Sequence, residues 1–296
     1  MQYFNSNTVL YLNGKFEKAA DTTADIYGQS LHYGYAVFEG IRAYSTHNGT
    51  RIFKVKEHYE RLKRSAELVN MPFHWNINDL IKQTYKLLEL NNLKNAYIRP
   101  LIYCAPNMSL VAGTKTSIMI CAWEWGAYLG HEQLKVCISS YERPNPKSTA
   151  IEAKVSGNYV NSILATTEAK NKGFDEALLL DMNQNIAEGP GANIFIEKNG
   201  RLYTPPPGHI LPGITRATII ELCQILDIEL IEKHLTVKDI KHADSAFFCG
   251  TASEIAGIAS VDEYTFPVKW VDSLGATLQR TYKCLVLEKQ NYEVII

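Results

Sequence analysis

Hydrophobic and polar positions follow two rhythms along this chain. In KEHYERLKRSAELVN, Leu62, Ala66 and Val69 share one side of a 3.6-residue period, which predicts an amphipathic helix. IKQTYKLLELNN predicts a second helix, and AYIRPLIYC and TSIMICAWEW then read as strands. Nearer the start, VLYLNGKFEK sets two short apolar runs around Asn13-Gly14, a pair suited to a tight hairpin turn. The first half therefore reads as α+β.

WGAYLGHEQLK holds two glycines and little periodicity. It suggests an N-terminal domain over 1–125, a connection over 126–134 and a C-terminal domain over 135–296 that carries Lys154. In the second half KVCISSYER reads as a strand. SGNYVNSILATTEAKNKG reads as a helix with Ser156 as N-cap and Gly173 just past its end. EALLLDMNQNIAEG predicts a strand and turn, and NIFIEKNG another strand. Proline keeps TPPPGHILPG out of regular structure. ITRATIIELCQILDI predicts a helix starting directly after Gly213, and SAFFCGTASEIAGIASVDEY is strand-rich. The even strand–helix alternation of a doubly wound sheet is missing.

Composition narrows the function classes. Of 296 residues, 46% are hydrophobic and 21% charged, enough for a large core. A formal net charge of -1 gives no support to nucleic-acid binding. The basic run KVKEHYERLKR is interleaved with glutamates and reads as a solvated helix face. No signal peptide or membrane-length apolar window is visible. Six cysteines without a CxxC pair read as free thiols in a reducing cytoplasm. The eight scattered histidines show no ligand-like spacing, so no metal is expected.

Three places suit an anion, and one lysine is out of keeping. LPGITRATIIELC opens a helix on Gly213, Ile214 and Thr215, whose N–H groups point outward. CGTASE ends a strand in Gly250-Thr251, where backbone and hydroxyl can approach a phosphate. Arg61 could supply a charged fork, though an ordinary surface helix arginine is the better reading of it from these residues alone. EGPGANIF lacks the third glycine and the following helix of a dinucleotide fingerprint; what stands out there is Glu188 beside a tight turn. Lys154 sits in IEAKVSGNYVNS among Ile151, Ala153 and Val155. Its stem would cover apolar surface in the ordinary case.

Taken in order, the lysine before GNY, the glutamate before GxG, LPGITR and GTASE resemble a pyridoxal-phosphate enzyme of fold type IV, the aminotransferase class IV group. HYGYAVFEGIRAY, AYIRP and WGAYLG resemble its branched-chain amino acid aminotransferases. The resemblance implies a two-domain α+β fold with the cofactor at the domain interface. It implies Lys154 as the Schiff-base lysine, Tyr159 at the cofactor's phenolic oxygen and Glu188 at its pyridine nitrogen. Arg61, Ile214, Thr215 and Thr251 would hold the phosphate. Phe38, Trp125, Tyr33 and Tyr128 would line the substrate pocket, with Tyr33 reaching in from a neighbouring subunit. Arg99 would meet the side-chain carboxylate of glutamate, and Tyr97, Thr251 and Ala252 the α-carboxylate.

The implied reaction is reversible transfer of the amino group of L-leucine, L-isoleucine or L-valine to 2-oxoglutarate. The substrates are small molecules, with no nucleic-acid or membrane partner, in a homodimer or larger homo-oligomer. D-amino acid aminotransferases, (R)-amine aminotransferases and aminodeoxychorismate lyase share the fold type and form the alternative; Arg99 and GAYLG argue against them. A protein that only binds pyridoxal phosphate stays possible on sequence alone, as does an α+β scaffold with accidental motifs. Pro190 and Ala192 depart from many relatives, and the loop 106–115 is shorter than in some.

Overall fold

The computed structural model describes residues 3–125 and 133–288. These form two compact units: residues up to 125 together with Ala153–Asn158, and the stretches 133–152 and 159–288. Lys154 thus belongs to the first unit, whereas the sequence pattern put it in the C-terminal domain. Long-range backbone pairing is the reason. Phe38 N–H donates to Lys154 O (3.1 Å), Gly157 N–H to Gly34 O (2.9 Å), and Val155 bridges Val37. The next strand begins at Gln133, two residues before the expected start of the C-terminal domain; residues 126–132 of the expected connection lie outside the described residues.

The first unit is a seven-stranded sheet with helices on it. Its strands are β1 (Val9–Leu12), β2 (Lys15–Lys18), β3 (Ala36–Phe38), β4 (Ile41–Thr46), β5 (Gly49–Ile52), β6 (Ala96–Cys104) and β7 (Thr116–Glu124). They run β2-β1-β7-β6-β4-β5, with β3 also on β6. The β1–β2 hairpin turns on Asn13 and Gly14, both at positive φ, as the Asn-Gly pair predicts. The helices are α1 (Gln29–Tyr33), α2 (Val55–Leu68) and α3 (Ile77–Leu90). Asn76 caps α3 by accepting from the N–H groups of Asn78 and Asp79. Ile98, Ile102, Ile118 and Ile120 are fully buried on β6 and β7. Each such side chain contributes about 1.5–3 kcal/mol on leaving water.

The second unit holds nine strands: β8 (Gln133–Ile138), β9 (Glu176–Leu180), β10 (Ile186–Glu188), β11 (Asn193–Lys198), β12 (Arg201–Thr204), β13 (Leu230–Glu232), β14 (Ser245–Gly250), β15 (Glu254–Val261) and β16 (Tyr264–Thr265). Because β10 pairs with both β9 and β11, the run β10-β9-β8-β15-β14-β11 closes into a ring. Leu178, Ile186, Ile194, Phe248 and Ile258 form part of the unit's main core. Around the sheet lie α4 (Tyr159–Asn171), α5 (Ile214–Ile225), α6 (Val237–Ile240) and α7 (Leu274–Val286). Gly173 follows α4 at positive φ, as expected. Ser156 is not the N-cap of α4: a 3-10 turn over Ser156–Asn158 comes first. None of the helices among the described residues is long and apolar enough to cross a membrane.

Candidate active site

In the first unit, strand alternation gathers the predicted substrate residues. Tyr97 and Arg99 are two apart on β6 and share a face, and Phe38 joins them from β3, which pairs with β6. The Arg99 guanidinium lies 4.6 Å from the Phe38 ring centroid and 5.3 Å from that of Tyr97, and its Nη2 donates to Tyr97 Oη (3.2 Å). Trp125 packs on Tyr97 with centroids 4.8 Å apart. Lys154 Nζ stands 5.0 Å from the centroid of the same Phe38 ring. Two cations thus share one aromatic floor, where ring quadrupoles compensate part of their lost hydration.

Trp123, which sequence reading passed over, completes this cage. It lies opposite Tyr97 in the β6–β7 ladder with rings 5.2 Å apart, and 6.0 Å from the Arg99 guanidinium. The alternation in CAWEW could have revealed it, since Trp123 and Trp125 are two apart. Arg99 Nε is buried without a hydrogen-bond partner among the described residues. A buried donor left so costs about 1–3 kcal/mol, and a bound carboxylate would satisfy it. Tyr33 ends α1 exposed, its hydroxyl donating to Met108 O (3.2 Å) in the 106–115 loop. Tyr128 lies outside the described residues.

Arg61 projects from α2, which is only partly the solvated face expected of it. Lys56, Glu60, Lys63 and Arg64 are all more open to solvent, but His58 is buried and the Arg61 side chain is 10% exposed. Arg61 Nε and Nη2 donate to the two oxygens of Glu39 at 2.7 and 2.8 Å. His58 Nδ1 is 2.7 Å from Glu39 Oε2. Burial alone would push the Glu39 carboxyl up, but the Arg61 charge and the hydrogen bonds from His58 and Arg61 hold it well below the usual carboxylate range. One turn further along α2, Ser65 Oγ accepts the Lys154 N–H (3.1 Å) and fixes the backbone of the lysine.

In the second unit the anion-suited motifs meet around Asn193. This residue opens β11, pairs with Cys249 of β14, and donates from Nδ2 to Glu188 Oε2 (2.9 Å) and Leu211 O (3.0 Å). Glu188 also accepts the Leu211 N–H (3.2 Å) and pairs with Arg143 Nη2 (3.0 Å). Asn193 and Arg143 were not picked out from sequence, because their partners come from strands and loops distant in the chain. Ile214 and Thr215 begin α5, whose N-cap Gly213 offers no side-chain cap, so the helix start keeps its donors for a ligand. A Cβ on Gly213 would overlap Asn193 Oδ1. Thr251 and Ala252 lie in the turn between β14 and β15. There a Cβ on Gly250 would come within 3.1 Å of Gly191 O. Ser253 Oγ in the same turn is buried without a hydrogen-bond partner among the described residues. Tyr159 is the first residue of α4, and α4 is tied to the Glu188 turn where Ser162 Oγ donates to Pro190 O (2.6 Å).

These groups suit pyridoxal phosphate. An uncapped helix start and a glycine-cradled turn with an unpartnered hydroxyl fit a phosphate. A buried carboxylate held by Arg143, Asn193 and the Leu211 amide fits a protonated ring nitrogen. A lysine amine over an apolar ring fits an aldehyde.

The family model for amino-transferase class IV matches residues 36–261. A branched-chain-amino-acid aminotransferase of Pseudomonas aeruginosa is 40% identical over 295 residues, 98% of this chain and 96% of that protein. The solved branched-chain aminotransferase of Thermoproteus uzoniensis with norvaline superposes with a TM-score of 0.92 at 36% identity, covering 96% of each chain. The T.th. branched-chain amino acid aminotransferase complexed with N-(5'-phosphopyridoxyl)-L-glutamate gives a TM-score of 0.89 at 32% identity, over 96% and 95% of the two chains. An antiparallel sheet in the first unit and a mixed sheet in the second agree with these likenesses, and the chain belongs to the class IV aminotransferases.

Proposed function

We propose that this protein is a pyridoxal-phosphate-dependent branched-chain-amino-acid aminotransferase, moving the amino group of L-leucine, L-isoleucine or L-valine to 2-oxoglutarate. The observation that carries the reading is Arg99, a cation walled by Phe38, Tyr97 and Trp123 in a floor it shares with Lys154 Nζ. Such a pocket accepts a branched aliphatic side chain against its rings and a second carboxylate against its guanidinium. A relative solved with norvaline, whose side chain is a straight aliphatic chain, supports an apolar wall, and one solved with a glutamate adduct supports the second carboxylate.

When bound, the cofactor supplies an electron sink that stabilises negative charge at the substrate's Cα. Lys154 Nζ anchors the cofactor, then accepts the proton released from Cα and holds it for return. Glu188 keeps the ring nitrogen protonated, with its own charge held in place by Arg143. Tyr159 donates to the phenolic oxygen. Arg61, the amides of Ile214 and Thr215, and Thr251 hold the phosphate. Tyr97 and the amides of Thr251 and Ala252 receive the α-carboxylate. Tyr33, exposed beside the 106–115 loop, serves the pocket of a second subunit, as does Tyr128. The protein works as a homodimer or larger assembly in a reducing cytoplasm, in keeping with its six free thiols.

A coupled assay with L-leucine and 2-oxoglutarate tests this. Wild-type protein is expected to form glutamate, and Lys154→Ala to lose turnover by about 10⁴-fold or more while staying folded, as for loss of a covalent catalytic group. Near-normal turnover in Lys154→Ala would overturn the role given to the lysine.

A further inference from the structure

Glu39 and His58 have no part in the chemistry above, yet they form a tightly packed polar cluster in the first unit. Glu39 is fully buried and His58 nearly so. A guanidinium is a planar fork with five N–H donors. Here its Nε and Nη2 edge is engaged by both carboxylate oxygens, which sets the plane of the group and points Nη1 away from Glu39. The carboxylate is itself held from other directions. His58, three residues before Arg61 on the same face of α2, meets Oε2, and the Gly40 amide reaches the same oxygen (3.3 Å). An ionised carboxylate only accepts, so His58 carries its proton on Nδ1. Burial pushes the His58 imidazole down toward its neutral form, against the pull of Glu39.

An arginine on a flexible stem would lose rotamer freedom on meeting a phosphate. Arg61 has lost it already. We propose that Glu39 and His58 are positioning residues that lock Arg61 in the orientation needed to take the cofactor's phosphate. This rests on the assignment of Arg61 to that phosphate. The pair lets the cation stay buried and ordered before the cofactor arrives, so the cost of aligning it falls on folding and not on binding. Its effect should therefore appear in the recognition of the phosphate and spare the rest of the cofactor.

The test compares affinity of the full chain, freed of cofactor, for pyridoxal phosphate and for pyridoxal, which lacks the phosphate. Arg61→Ala serves as the reference variant. Glu39→Gln and His58→Phe are expected to weaken pyridoxal phosphate about 10- to 100-fold, the scale seen for outer partners of ligand-holding side chains, while pyridoxal binding moves little. His58→Asn keeps a donor near the Nδ1 position and should restore part of the preference. Should Arg61→Ala lose the preference while Glu39→Gln and His58→Phe keep it, the positioning role is wrong and the phosphate assignment stands. Equal weakening of both ligands in those two variants would also overturn the role, since a merely structural defect does not read the phosphate. If Arg61→Ala keeps the preference, the phosphate assignment fails and the proposal falls with it.

Discussion

The dipeptide Glu-Gly occurs in FEGIR of the first unit and in AEGPG of the second, and the structure uses it in two ways. Both glutamates are buried beside an arginine, Glu39 with Arg61 and Glu188 with Arg143. Glu39 accepts two bonds from one arginine fork, with His58 and the Gly40 amide also on it. Glu188 pairs with Arg143 and also accepts from neutral donors, the Leu211 amide and the Asn193 side chain. A carboxylate clamped by both arms of one arginine serves as a brace. One held largely by neutral donors keeps its charge for a partner cation. Burial and an adjacent arginine alone therefore do not identify a catalytic carboxylate; the character of its donors does.

Exchanging each carboxylate for its amide would sharpen the contrast most. Glu39→Gln leaves Arg61 buried without its counter-charge and should lower stability by about 3–5 kcal/mol in denaturant unfolding. Glu188→Gln also strips Arg143 of its counter-charge, but among the described residues Arg143 is not held by both arms in one fork. The Leu211 amide keeps an acceptor, so the loss should be smaller, nearer about 1–3 kcal/mol. Turnover should rank the two the other way, with Glu188→Gln the more damaging. Equal stability losses would break the comparison.

The two glycines come next. A Cβ on Gly40 would overlap the Tyr97 hydroxyl oxygen and lie 2.6 Å from Cζ, in a ring that is itself buried. On Gly189 it would meet Phe248 at 3.0–3.1 Å. Gly40→Ala should cost about 1–3 kcal/mol of overpacking and weaken substrate binding through Tyr97. Gly189→Ala should fall at the low end of that range or under it, where a slight ring shift suffices. Thermal unfolding and KM for leucine check both.

Acidity gives a third contrast. Glu39 titrates lower folded than unfolded, so its contribution is complete above the ordinary carboxyl value of 4.5 and is lost as pH falls toward the depressed folded value. His58 also titrates lower folded, because burial opposes its charge. The unfolded chain then takes up a proton below 6.5 that the folded chain refuses, and stability falls there too. Acid loss should begin near 6.5 in wild type, and His58→Phe should show less of that early component in unfolding series against pH. The smallest effect belongs to a surface pair of an exposed lysine and a half-buried glutamate. Lys172 and then Ser139 bond Glu168 and hold its carboxyl down at about 2. Lys172→Ala should cost the least of these changes in thermal unfolding, as for other solvent-facing i,i+4 helix pairs.

Sequence made much of this molecule legible because many signals are local. AYIRPLIYC is β6 from end to end, and the Asn-Gly hairpin and the helix after Gly213 fall where their patterns put them. The class IV motifs were legible as an ordered set. The bracing of Arg61 was not, since Glu39 lies 22 residues away and the charges around His58 and Arg61 resemble a solvated face. Nor was the placement of Lys154 with the first unit, which depends on pairing with Phe38, Gly34 and Ser65 far upstream. Helix and strand periods report which face is apolar, but not which distant segment that face will meet.

The most direct test of the central claim is the visible absorption of the cofactor-loaded protein during titration with L-leucine, with D-alanine as control. Loss of the yellow band with L-leucine, its return with 2-oxoglutarate, and no change with D-alanine is the predicted result. A yellow protein that ignores L-leucine and bleaches with D-alanine would contradict the branched-chain assignment.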